Sequence, residues 1–136
     1  MKEINNLIIL LIAIQNYCKD IHYNSKGEAF YSKHLLADRI QENISDYIDR
    51  IKEVSILGND EITLPSSQYL QKAAELIPDI SPSDRENFKS LEKLIITTLS
   101  FIEKLDNITK GEDNLYSAIA EDLQNSLGLI NRQIKE

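Results

Sequence analysis

From Leu7 to Ile14 the chain carries eight consecutive apolar residues, and this run limits its fold more than any other feature. The run sits inside a longer stripe: Ile4, Leu7, Ile8, Leu11, Gln15, Cys18 and His22 follow one another at steps of three and four residues. That period marks a helix, expected from Lys2 to about His22. A stripe alone covers one side of a helix, whereas the continuous run covers more. Crossing a bilayer takes about 20 such residues, so the run is too short to span one. It is expected instead to be buried on more than one side, in a bundle and at a subunit contact. The basic start and small-residue cleavage site of a secretory signal are both missing. His22 closes the stripe, so its ring is expected to point inward.

The rest of the chain repeats the pattern. Four glycines and three prolines leave few turns, which favours long helices over a sheet. Ser25 and Glu28 have the spacing of a capping box, opening a second helix that continues to Leu57. Gly58 then suits a left-handed C-terminal cap. Ser66 to Ile77 reads as a short helix stopped by Pro78. Ser81, Pro82 and Asp84 start a third long helix, with Ser81 as its N-cap and Pro82 in its first turn. Phe88, Leu91, Leu94, Ile95, Thr98, Phe101, Ile102 and Leu105 form its buried face, and Gly111 ends it. A fourth helix is expected from about Glu112 to Ile134, with Leu115, Ile119, Leu123, Leu127 and Ile130 inward. The expected fold is all-α: a single domain over residues 1–136, four long helices, and a short one in the crossover between the second and third.

Charge narrows the function. The net charge of −7 opposes nonspecific binding to nucleic acid, which needs a lysine and arginine surface to release counterions. A single cysteine, Cys18, excludes an intrachain disulfide and points to a reducing cytoplasm. Its place on the apolar stripe makes it a small buried residue rather than a ligand.

Five side chains of metal-binding type stand out: His22, His34, Asp38, Asp49 and Glu53, separated by 12, 4, 11 and 4 residues. On one helix from Phe30 to Leu57, Asp38, Asp49 and Glu53 fall about 40°, 60° and 100° from His34. The four share one broad face. Asp38 and Asp49 are nevertheless roughly 16 Å apart along the axis, too far for one metal ion. An antiparallel second copy would bring His34 and Asp38 of one chain to Asp49 and Glu53 of the other. Carboxylates with imidazoles suit iron, zinc or manganese.

The residues around these ligands carry a resemblance. His22-Tyr23-Asn24-Ser25-Lys26-Gly27-Glu28-Ala29-Phe30 resembles the His-Trp-Asn-x-x-Gly-x-x-Phe signature of the Dps family, the ferritin-like mini-ferritins. His34 and Asp38 follow at the family's spacing. Asp46-Tyr47-Ile48-Asp49-Arg50-Ile51-Lys52-Glu53 is similar to the family's Asp-x-x-Asp-x-x-x-Glu segment, and Leu57-Gly58 closes it as in relatives. Residues 121–134 look like the family's last helix. The resemblance implies a ferritin-like four-helix bundle with the short helix between its second and third helices. It implies a ferroxidase that oxidises Fe(II), preferably with hydrogen peroxide. It also implies protection from oxidative stress by Fe(III) mineral storage in a hollow shell, a homo-oligomer of twelve subunits. His22, His34 and Asp38 would then come from one subunit, and Asp49 and Glu53 from its twofold partner.

Two departures qualify it. Tyr23 stands where the signature has Trp, which leaves any electron-shuttling part of that ring open. The lysine-rich N-terminal arm that many relatives use on DNA is missing, so no DNA binding is expected, and no membrane association. Glu112 and Asp113, at the start of the fourth helix, have two readings: favourable charge at a helix N-terminus, or an acidic iron-entry pore as the resemblance implies. Tyr17, Tyr31, Tyr47 and Tyr116 read as packing or interface residues. Two other functions compete with the ferroxidase: a metal-sequestering or structural shell that holds zinc or manganese without redox turnover, and a helical interaction module without metal.

Overall fold

In a computed structural model describing residues 2–135, the chain is all-helical, with no strand among the described residues. Six α-helices follow in order: α1 (Ile4–Asn24), α2 (Phe30–Gln41), α3 (Ile44–Ile51), α4 (Ser66–Ala74), α5 (Asp84–Glu103) and α6 (Lys110–Ile134). A π turn, Lys52–Ile56, and a 3-10 turn, Leu57–Asn59, extend α3. No described helix is long and apolar enough to cross a membrane.

The apolar run of α1 explains the packing. Leu7, Ile8, Leu11, Ala13 and Ile14 have no exposed surface, because α2, α3, α4 and α5 all pack against α1. The chain thus covers more than one side of α1 by itself. Polar groups in this core are paired: the buried Asn5 accepts from the Tyr69 hydroxyl of α4 at 2.6 Å. Tyr17 donates to Asn87 of α5, whose amide also bonds both Ser81 backbone groups.

Cross-helix hydrogen bonds set the directions. Gln15 reaches Ser45 and Lys2 reaches the Ser55 carbonyl, so α1 runs antiparallel to α2 and α3. Lys26 N to Asp84 and Tyr17 to Asn87 make α1 antiparallel to α5. Tyr47 to Asp122 and Ser55 to Tyr116 make α3 antiparallel to α6. The helices α1, α2–α3, α6 and α5 therefore neighbour one another in a ring, and the one long crossover carries α4.

Several expectations need correction. The second long helix is not continuous. It breaks at Glu42–Asn43, where Asn43 sits at φ −96°, ψ −1°, and again at the π turn. The break leaves the helical direction unchanged because both residues stay right-handed. Asn43 reaches across to Asp122 of α6 at 3.4 Å, an alternative to regular helical bonding.

Ser25 and Glu28 form no capping box. The Ser25 hydroxyl and amide both bond the Ile21 carbonyl, closing α1 rather than opening α2, which starts after Ala29 at φ 58°. Gly27, at φ 77°, supplies the left-handed step in this turn.

Gly58 is not a left-handed cap either; Asp60, at φ 56°, takes that conformation. A Cβ on Gly58 would lie 3.3 Å from the Glu53 carbonyl, so the glycine lets the chain pass close to the π turn.

Ser83, not Ser81, caps α5 by accepting from Glu86 N, while the Ser81 hydroxyl accepts from Ser83 N. The preceding elements also differ at their ends: α4 stops at Ala74, α5 stops at Glu103, and Gly111 lies inside the first turn of α6. That turn carries a full capping box between Thr109 and Glu112.

Candidate metal centre

The α1–α2 turn brings His22, in the last turn of α1, onto His34 of α2. Their rings stack at 3.5 Å between centroids, 19° from parallel. Each ring is tied to the other residue's backbone. His22 Nδ1 lies 2.8 Å from the His34 carbonyl, and His34 Nδ1 lies 2.6 Å from the His22 carbonyl. A carbonyl only accepts, so each Nδ1 carries a proton and donates it. In the neutral ring that leaves the lone pair on Nε2, the arrangement of a metal-ready imidazole anchored by a backbone carbonyl. Both rings are half-buried, with Tyr23 edge-on to His22 and Phe30 beside His34. Asp84, the first residue of α5, fastens the turn by accepting from Lys26 N and Lys33 Nζ, each at 3.1 Å.

Asp49 and Glu53 form a second pair, one helical turn apart, on α3 and the π turn. Both are exposed. The Glu53 carboxyl is raised above the usual glutamate range, first by its hydrogen bond with Asp49 and then by the Asp49 charge. Two carboxylates one helical turn apart could serve together as ligands to a divalent cation.

The pH consequence has a definite sign. A carboxyl raised by folding is favoured in its protonated form. The pair therefore supports the fold below the ordinary glutamate value, and that contribution is lost as pH rises through the raised Glu53 pKa. A cation competes with protonation of Glu53. Its affinity is expected to begin falling, on acidification, above the ordinary glutamate value of about 4.3. Calorimetric titration of Mn(II) across pH 7 to 4 checks this; an affinity that stays flat until pH reaches the ordinary value would contradict it.

Asp38 joins neither pair. It is exposed and accepts from Gln41 Nε2 at 3.1 Å. Its charge is felt at Cys18, whose thiol burial pushes far up, making it an inert core residue as its place on the stripe indicated. Among the described residues, no three His, Cys, Asp or Glu side chains of one chain converge as a metal site. The structure thus brings His22 to His34 and Asp49 to Glu53, and keeps the pairs apart. Each pair offers two donors, fewer than the four to six that iron, zinc or manganese usually take. The donor chemistry fits such metals; the number of donors in one chain does not complete a shell.

Sequence reading missed the polar chain behind Glu53. Ser55, in the same π turn and fully buried, bonds the Tyr116 hydroxyl, which donates to Glu112 Oε2 at 3.3 Å. Burial, aided by the Glu112 charge, pushes Tyr116 up to about 12. Burial pushes Glu112 upward too, but hydrogen bonds from Thr109 and Tyr116, with the Ser55 hydroxyl beside them, outweigh it and hold the carboxyl low. Glu112 is therefore engaged inside its own chain, as the helix-start reading has it. The i, i+4 spacing of Glu112 and Tyr116 was the available signal. Tyr47 similarly donates to Asp122 at 2.9 Å and is raised to about 12, mainly by burial.

No family model matches the chain.

Proposed function

We propose that this protein is a Dps-type mini-ferritin that oxidises Fe(II), with hydrogen peroxide preferred over oxygen, and stores the Fe(III) mineral in a shell of identical subunits. The observation that carries this reading is the division of the ligands into two prepared pairs on one chain, His22 with His34 and Asp49 with Glu53. A twofold partner running antiparallel would bring one pair of each kind together, twice per dimer. The ring of antiparallel helices with a single long crossover supports a ferritin-like arrangement. In this reading Asp49 and Glu53 supply the negative charge that holds Fe(II), and the Nε2 atoms of His22 and His34 supply neutral nitrogen. Asp38 would have to swing from Gln41 to contribute.

The iron is substrate. Two Fe(II) ions each give one electron to one hydrogen peroxide. Its O–O bond breaks, and two protons complete two waters, so no hydroxyl radical is released. Pairing the electrons is what protects the surroundings.

Anaerobic loading with Fe(II), followed by peroxide in a stopped-flow absorbance experiment, tests the reading. Fe(III) is expected to form faster with peroxide than with oxygen. Asp49→Ala/Glu53→Ala should slow it by on the order of 10- to 100-fold. Fe(II) that binds but oxidises no faster than in buffer would replace the ferroxidase with the zinc- or manganese-holding shell.

A further inference from the structure

We propose that Tyr116 is a positioning residue for the Asp49–Glu53 carboxylate pair, acting through Ser55 and the π turn that carries Glu53. The inference rests on the metal reading above. Glu53 and Ser55 belong to the same five-residue turn, Lys52–Ile56. A π turn is rare in helices and persists where surrounding structure holds it.

Here it is held from two sides. On the inner side the Tyr116 hydroxyl gives its one proton to Glu112, so the buried Ser55 hydroxyl donates to Tyr116. Glu112 is itself fixed by the capping box, accepting from Thr109 N and donating its own N–H to Thr109 Oγ1, each at 3.1 Å. The chain of bonds thus runs from the capped start of α6 to the turn. On the outer side the Ser55 carbonyl accepts from Lys2 Nζ at 2.7 Å and Asn59 Nδ2 at 2.8 Å.

The reason for such holding is electrostatic. When both are ionised, two carboxylates at i, i+4 repel and would rotate apart if free. A turn locked by Ser55 fixes the Glu53 backbone one helical turn from Asp49. Removing the Tyr116 hydroxyl takes from Ser55 its direct hydrogen-bond partner on α6, and the turn is expected to relax toward regular helical register.

A double-mutant cycle with Mn(II) as the probe tests this. Mn(II) titrations compare wild type, Tyr116→Phe, Glu53→Ala and the double variant, with amide hydrogen exchange on the metal-free proteins. Tyr116→Phe is expected to weaken Mn(II) binding about 10-fold, the scale of losing an outer-sphere partner. It should speed exchange at residues 52–56 and cause no further loss once Glu53 is gone. Equal losses in both backgrounds would mean a general structural effect and overturn the proposal. So would unchanged affinity, whether or not the turn exchanges faster. If Tyr116→Phe fails to fold, Ser55→Ala enters the same cycle and is judged by the same outcomes. Wild-type Mn(II) binding that Asp49→Ala/Glu53→Ala leaves intact would overturn the metal reading itself, and this inference with it.

Discussion

Two variants that are each nearly inactive are expected to regain activity when assembled together. The first carries His22→Ala and His34→Ala; the second carries Asp49→Ala and Glu53→Ala. In the proposed dimer every site takes its nitrogens from one chain and its carboxylates from the other. Each homodimer then has two half-empty sites, and its Fe(II) oxidation should fall by on the order of 10- to 100-fold. In a mixed dimer one site collects all four substitutions and the other none. Random pairing makes half the dimers mixed, each with one of two sites whole, so an equal mixture should recover about a quarter of wild-type activity under twofold symmetry. Co-expression, native mass spectrometry to verify mixed dimers, and stopped-flow oxidation make the measurement. Mixed dimers that form yet stay as slow as their parents would rule out a site shared between chains. Circular dichroism of each parent guards against loss of fold in the histidine variant, whose rings also tie two backbones.

The largest stability effect is expected in α1. Leu11 is fully buried in a helix that four others enclose, so little can move to fill a void there. Leu11→Ala should cost about 2–5 kcal/mol. Ile96 of α5 is 48% exposed, and Ile96→Ala should stay within about 0.5 kcal/mol. Urea unfolding at equal protein concentration compares the two. A Leu11→Ala midpoint no lower than that of Ile96→Ala would mean that α1 is not the centre of the core.

What could be read from residues alone followed the reach of the forces involved. The stripes of α1, α5 and α6 were legible because apolar residues recur at the helical period, and burial simply obeys that period. The Asp49–Glu53 pair was legible for the same reason. The breaks in the second helical stretch were not. Asn43 leaves regular geometry toward Asp122, and the π turn leans on Tyr116; these partners lie 79 and 61 residues away in sequence. Serine was ambiguous in principle, since one hydroxyl serves a carbonyl at a helix end or an amide at a helix start. Ser25 does the former. Ser81 and Ser83 both flank Pro82; Ser83 caps α5, and the Ser81 hydroxyl turns to the Ser83 amide instead. His22 and His34 were singled out as ligands. Their mutual stacking, which binds each ring to the other's backbone, needed the turn geometry.

That mutual tie means the histidine pair, the nitrogen half of the proposed site, is ordered by the fold alone. Each imidazole already has its tautomer and its orientation fixed by a carbonyl of the opposite helix. Binding then freezes few rotors and moves little backbone, so the ordering entropy that a floppy ligand set would lose at capture has been spent during folding. If the proposed metal reading holds, such a half-site would pass through repeated loading and release with little change of its own shape.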